Sequence, residues 1–144
     1  MDGVSFDRME LSDAADVAVL AGQLGYPCTT GDIRARIEAF SKEPVEQLRV
    51  ARQGARVVGW VHFHLQRSLT TDSRVELATI VVEEKLRGKG IGARLVALAE
   101  EWGREQGLKK IRLASRVTRP EAHKLYLNLG YQIDKTSHVF VKPL

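Results

Sequence analysis

The sequence has little of what secreted, membrane-spanning or disulfide-stabilised proteins carry. Its 144 residues include a single cysteine, Cys28, so no disulfide can form within the chain. No stretch approaches the roughly 18 consecutive apolar residues that a transmembrane helix needs. The first 20 residues hold five acidic side chains and no apolar run behind a basic start, unlike a secretory signal. We therefore expect a cytoplasmic protein with no membrane partner.

Charge of one sign is not concentrated anywhere along the chain. The formal net charge is +4, which favours acidic partners such as nucleic acid, anionic lipid or a phosphorylated small molecule. Lysine and arginine are interleaved with glutamate, and no aromatic residues cluster with them as base stacking would require. We therefore expect no nucleic-acid partner and keep a basic nucleic-acid-binding module as a rival interpretation.

The composition and the spacing of apolar residues predict one α/β domain over residues 1–144. Hydrophobic residues make up 44% of the chain and charged residues 28%, as in ordinary globular proteins. Apolar periodicity and capping signals predict the order β-α-α-β-β-β-α-β-α-β-β with a mixed sheet. Predicted strands cover residues 4–10, 48–51, 57–65, 75–82, 111–113, 131–134 and 138–141; predicted helices begin near Asp13, Thr29, Ile91 and Pro120.

The main chemical signal is a glycine-rich loop between the predicted strand 75–82 and the helix that begins at Ile91. Gly88, Gly90 and Gly92 allow a tight turn whose N–H groups can approach a ligand closely. Those N–H groups and the positive end of the helix together favour an anion, and Arg87 and Lys89 add charge at the rim. This arrangement suits a pyrophosphate better than a carboxylate.

Two better-known phosphate loops do not fit this segment. A Walker A loop needs serine or threonine after Gly-Lys, but Gly88-Lys89 is followed by Gly90. A dinucleotide fingerprint spaces its glycines G-x-G-x-x-G, whereas these run G-x-G-x-G. The plain alternative is a flexible turn before a helix.

Three segments together resemble the GNAT superfamily of N-acetyltransferases. Arg87-x-x-Gly90-x-Gly92 is similar to that family's acetyl-CoA pyrophosphate motif, and residues 122–131 are similar to its late helix, which ends in Leu-Gly-aromatic. Ile80, Val81 and Val82 fall where the family's central strand carries a bulge that meets the pantetheine arm. The sequence departs from the pattern at Glu83, where many relatives have proline soon after this strand, and at 118–120, where many have asparagine.

The resemblance implies both a fold and a cosubstrate. The fold is an α/β (α+β) arrangement with a twisted, mixed and mostly antiparallel sheet, split at the central strand and flanked by four helices. Acetyl-CoA is the implied cosubstrate, an amine is the acceptor, no metal is needed, and a homodimer is expected. The residues expected to bind acetyl-CoA through their backbone are Ile80, Val81, Val82, Arg87, Gly88, Lys89, Gly90, Ile91 and Gly92.

The implied chemistry is direct attack of the amine on the thioester in a ternary complex. Tyr126, on the late helix, is the candidate general acid for the departing thiolate; the alternative is a tyrosine that only packs. Glu76 is the candidate base, acting directly or through water, because a carboxylate in an apolar strand needs a role or a partner. Its side chain shares a face with Val82 unless a bulge intervenes. The other reading of Glu76 is a partly exposed strand end.

Other polar residues leave alternatives open. His62 and His64 point the same way from the strand 57–65 and could contact the acceptor or relay a proton, but no third residue completes a zinc site. Cys28 is expected to pack as a small apolar residue. A CoA-binding sensor without catalysis is the second rival, because a pyrophosphate loop indicates binding and not turnover.

Overall fold

The computed structural model describes residues 3–115 and 120–144, which fall into two units, Met1–Ala114 and Ser115–Leu144. The helices of the first unit are α1 (Ala14–Leu24), α2 (Thr30–Ser41) and α3 (Ile91–Glu105). Its strands are β1 (Val4–Arg8), β2 (Glu46–Gln53), β3 (Arg56–Gln66), β4 (Arg74–Val82) and β5 (Ile111–Leu113). Short 3₁₀ turns cover Leu11–Asp13 and Glu84–Leu86. None of the helices in these described ranges is both long and apolar enough to cross a membrane.

The five strands form one sheet in the order β1-β2-β3-β4-β5. The first three pairings are antiparallel and only β4–β5 is parallel, so the prediction of a mixed, mostly antiparallel sheet is confirmed. β5 pairs with β4 only from Val75 to Leu77. Over the rest of β4, residues 78–82, the described ranges contain a partner strand on the β3 side alone. The sheet therefore opens beside the second half of β4.

A bulge in β4 reverses the facing of its side chains. His62 pairs with Thr79 and Phe63 with Leu77, which leaves Ala78 as an extra residue. Such a residue shifts the two-residue alternation. The irregularity therefore lies two residues before Ile80, not within the segment Ile80–Val82 where the resemblance predicted it.

A second bulge, between β2 and β3, sets the face of the sheet on which Val57 lies. Val58 is the extra residue there, because Ala51 pairs with Gly59 and Arg52 with Val57. Val57 consequently joins Trp60 in the core under α1, although residues three apart on a regular strand face opposite sides of the sheet.

The two faces of the sheet carry different helices. On one face, α1 and α2 bury an apolar cluster against the sheet; its members from the strands are Val50, Val57, Trp60 and Val81. On the other face, α3 packs closely on β3 and β4. The Phe63 and Trp102 rings lie 5.6 Å apart there, and Leu95 is fully buried.

Capping explains where the helices begin and end. Gly25 ends α1 in the left-handed conformation at φ 97°. Thr29 and Asp32 form a reciprocal capping box before α2, which begins at Thr30, close to the predicted start near Thr29. Asp13, buried at the start of α1, receives hydrogen bonds from Arg52. That bonding raises the pKa of the Arg52 guanidinium.

The described part of the second unit contains one helix, α4 (Pro120–Asn128), followed by Gly130 at φ 92°. Thr118 and Arg119, which the sequence predicts as its cap, lie outside the described residues. The predicted strands 131–134 and 138–141 are wrong: residues 131–144 form no strand, and Val139, Phe140 and Val141 are more than nine-tenths exposed. An alternating apolar pattern becomes a strand only when a neighbouring edge pairs with its backbone.

The close packing of α3 yields a stability prediction. A Cβ on Gly103 would lie 2.5 Å from Cγ2 of Val75, a stiff β-branched side chain that is buried. We expect Gly103→Ala to lower the free energy of unfolding by about 1–3 kcal/mol, as measured by urea denaturation. Gly22→Ala, in α1 with open space around the added Cβ, is the matched control. It should stabilise the protein by roughly 0.5–1 kcal/mol. Equal effects of the two substitutions would contradict the packing described here.

Candidate functional site

The glycine-rich loop adopts a conformation that its glycines make possible. Gly88 and Gly90 have φ values of 79° and 91°, in the left-handed region that other residues adopt only with strain. Gly90 is the residue directly before α3. Gly92 differs from both, because it lies inside the first turn of the helix.

The backbone of this loop offers hydrogen-bond donors that nothing in the described part of the chain accepts. The N–H of Arg94 is the first in the helix to be bonded, to the Gly90 carbonyl at 3.1 Å. None of the N–H groups from Gly88 to Ala93 donates to a described residue. No side chain caps this helix, and its first turn contains no acidic residue. The helix N-terminus therefore presents a positively polarised set of donors.

The loop is anchored at both ends. Ile91 is buried, with Cγ2 3.4 Å from the position a Cβ on Gly59 would take, so the first turn of α3 lies directly on β3. On the strand side, Nε of Arg87 donates to the Val82 carbonyl at 3.1 Å. Lys89 is exposed between them. The donor set is thus held at the end of β4.

The predicted pantetheine-binding segment lies where the sheet opens. Ile80, Val81 and Val82 form the last part of β4, beyond the residues that pair with β5. Val81 is buried in the α1–α2 core, and its two neighbours are half-buried. One continuous stretch, residues 80–92, therefore joins the open strand edge to the donor-rich loop. The structure brings together all nine residues that the sequence assigns to acetyl-CoA.

Glu76 lies at the other end of β4 and has two partners. Its Oε1 accepts from Nε of Arg74 at 3.1 Å and from Nε of Arg112 at 3.2 Å. Glu76 was expected to share a face with Val82 unless a bulge intervenes. The bulge at Ala78 does lie between them, so the two side chains are on opposite faces of the sheet. Sequence reasoning missed both arginines, although the alternation of Arg74 and Glu76 on one strand was a usable signal.

His62 and His64 lie on the same sheet face as Glu76, next to α2. His64 pairs directly with Glu76 across β3 and β4. Nε2 of His62 lies 2.6 Å from Oε2 of Glu46, and the His62 ring stacks on Phe40 of α2 at 4.9 Å. The histidine and glutamate residues thus form a polar patch at the edge of the α1–α2 core. In the described ranges, no group of three or more His, Cys, Asp or Glu side chains is arranged to hold a metal ion.

The remaining predicted residues lie elsewhere. Tyr126 belongs to α4 in the second unit, where it is half-buried and its ring centroid lies 6.1 Å from that of Tyr131. Cys28 packs against the α1–α2 core, as expected, and its thiol donates to the Tyr26 carbonyl at 3.3 Å.

Comparison with known proteins extends these observations. The model of the acetyltransferase (GNAT) family matches residues 18–131. An aminoalkylphosphonate N-acetyltransferase from Salmonella typhimurium is 36% identical over 104 residues, or 71% of this chain and 66% of that protein. The match thus spans just under two thirds of this curated relative.

Solved structures share the fold. A transcriptional regulator from Bacillus halodurans C-125 superposes with a TM-score of 0.87 at 22% identity, covering 96% of this chain and 99% of that one. An aminoglycoside N-acetyltransferase in complex with CoA superposes with a TM-score of 0.85 at 16% identity, covering 98% and 95%. At these identities the likeness shows the fold alone.

Proposed function

We propose that this chain, which belongs to the acetyltransferase (GNAT) family, transfers an acetyl group from acetyl-CoA to a primary amine. The observation that carries the proposal is the set of N–H groups from Gly88 to Ala93 that donate to no described residue. A pyrophosphate supplies the oxygen acceptors that such donors require, and it is favoured by the positive end of α3. Arg87 and Lys89 add two charges beside it.

The open edge of β4 supplies the second half of the acetyl-CoA site. A strand edge without a partner has free N–H and C=O groups at regular spacing. The amide groups of the pantetheine arm can pair with the backbone of Ile80, Val81 and Val82 as an added strand would. The thioester then lies toward the bulge at Ala78, where β4 and β5 begin to pair.

The acceptor amine approaches from the face that carries Glu76, His62 and His64. Its nitrogen attacks the thioester carbonyl directly; a C–N bond forms, and the C–S bond breaks. The ammonium proton passes to Glu76 through a water molecule. Direct contact with the amine is disfavoured because Oε1 of Glu76 already accepts hydrogen bonds from two guanidinium groups. The departing thiolate takes a proton from the Tyr126 hydroxyl. No metal is required for these steps.

The proposal treats residues 1–144 as one acetyltransferase domain. Support comes from the family model, whose match of residues 18–131 extends across the boundary between the two units at Ala114. A small amine is the proposed class of acceptor, supported by the name of the Salmonella relative. A homodimer is also part of the proposal, by resemblance to the family.

Thiol release from acetyl-CoA over a panel of amines tests the activity. We expect release that depends on enzyme and amine, with an acetylated amine detected by mass spectrometry. Acetyl-CoA binding without release across small amines and peptide N-termini would contradict catalysis and favour a CoA-binding sensor. Salt-dependent DNA binding without acetyl-CoA binding would favour a nucleic-acid-binding module.

Gly90→Val tests the loop. A β-branched residue at φ 91° distorts the start of α3 and misdirects its N–H groups. Two or more charge-assisted hydrogen bonds to the pyrophosphate are then lost. We therefore expect the affinity for acetyl-CoA to fall by at least about 100-fold. Isothermal titration calorimetry measures this. Gly54→Val, at φ 63° in the turn between β2 and β3, is the control with comparable backbone strain. Unchanged affinity in the Gly90 variant would contradict the placement.

Tyr126→Phe tests the general acid. Loss of the hydroxyl should lower kcat by about 100-fold or more while the Kd for acetyl-CoA stays within about twofold. Tyr26→Phe, a change of the same size in the loop after α1, should leave kcat unaltered. If kcat is also unaltered in the Tyr126 variant, this tyrosine has a packing role only.

Glu76→Gln tests the base. The amide keeps the size of the side chain and one acceptor oxygen, but it cannot take a proton. We expect kcat to fall by roughly 100-fold while the Kd for acetyl-CoA stays within about twofold. Glu46→Gln, which alters the His62 partner on the same face, serves as the comparison. An unaltered kcat in the Glu76 variant would assign proton removal to another group.

A further inference from the structure

Two arginines at the start of β4 and β5 use only a fraction of their hydrogen-bonding capacity. Arg74 and Arg112 each contact Glu76 through Nε, at 3.1 and 3.2 Å. A guanidinium has five N–H donors. Within the described residues, the Nη groups of both arginines donate to nothing. This leaves two planar sets of donors side by side at the sheet surface.

The charge of this cluster is not balanced. Two guanidinium groups and one carboxylate leave a net charge of +1, and no second described carboxylate forms an ion pair with either arginine. Arg74 is 9% exposed and the Arg112 side chain 46%, so one cation is nearly withdrawn from water while the other reaches it. A partly buried surplus of positive charge next to open donors is a suitable environment for an oxyanion.

The cluster is remote from the proposed pyrophosphate loop. Glu76 and Val82 are six residues apart along β4, which corresponds to about 20 Å at roughly 3.3 Å per residue. The loop that begins at Arg87 lies beyond Val82. The arginines therefore do not contact the same phosphates as the loop. They lie on the face of Glu76, His62 and His64, from which the acceptor approaches.

We propose that the Nη groups of Arg112 and Arg74 bind an anionic group carried by the acceptor. The acceptor is then a short amine that bears a phosphonate, phosphate or carboxylate. Neighbouring strands lie about 5 Å apart, so an amine beside Glu76 on β4 and an anion on Arg112 of β5 are separated by about two or three carbon atoms. This inference rests on the proposed acetyl transfer and specifies its acceptor.

The test compares acceptors of matched length on the full chain. 2-Aminoethylphosphonate and β-alanine carry the anion, and 3-aminopropanol replaces it with a neutral hydroxyl. We expect kcat/KM for thiol release to be at least about 10-fold higher with an anionic acceptor than with the alcohol. The preference between phosphonate and carboxylate identifies the anion.

Arg112→Gln should lower kcat/KM for the preferred anionic acceptor by roughly 10- to 100-fold, chiefly through KM. The loss with 3-aminopropanol should be at least about 10-fold smaller, because that acceptor carries no anion and is affected only through the lost Nε hydrogen bond to Glu76. Arg112→Lys should restore part of the loss with the anionic acceptor. Lys109→Gln removes the same charge from an exposed position before β5 and should have little effect.

Three results would overturn the inference. Equal rates with charged and neutral acceptors would remove the anion site. An equal loss for both acceptors in Arg112→Gln would mean that Arg112 acts only through Glu76. Release with no amine at all would overturn the acetyl-transfer proposal and this inference with it, whereas release without anion preference overturns this inference alone.

Discussion

The close contact of α3 with β3 and β4 is the constraint on which the proposed site depends. Gly59 and Gly103 remove side chains from the two places where helix and sheet meet: a Cβ on Gly59 would lie 3.3 Å from Cδ1 of Leu95, and one on Gly103 closer still to Val75. Because α3 packs against β3 and β4 at these two glycines, its N-terminus lies at the end of β4. The N–H groups of the helix that donate to no described residue are thereby placed beside the part of β4 that has no second partner strand in the described ranges.

The bulge at Ala78 divides β4 into two halves that differ in side-chain facing and in strand pairing. Before it, Val75 and Leu77 face α3, and Glu76 faces the side of α1 and α2. After it, Val81 faces α1 and α2 instead. Parallel pairing with β5 also stops near this point. A single extra residue therefore separates a charged segment that pairs with strands on both sides from a segment that, among the described strands, pairs on the β3 side alone.

Much of this fold could be predicted from local signals. The capping box at Thr29 and the helical apolar stripe from Ile91 fixed their helices closely, because short-range hydrogen bonds and one buried face determine them. Gly88 and Gly90 form the tight turn that their spacing predicted, whereas Gly92, predicted as part of that turn, lies in the first turn of α3. The bulges at Val58 and Ala78 could not be predicted, since they arise from pairing between strands distant in sequence. Arg112 beside Glu76 and Glu46 beside His62 were missed for the same reason.

The most direct test of the central claim is a two-dimensional ¹H–¹⁵N spectrum of the protein titrated with CoA. The claim is that backbone amides at the start of α3 hold the pyrophosphate. We expect the largest shift changes at the amides of Gly88, Gly90, Ile91 and Gly92, and smaller ones along Ile80–Val82. Shift changes confined to another region, such as Leu108 to Ile111, or no changes at saturating CoA, would contradict it.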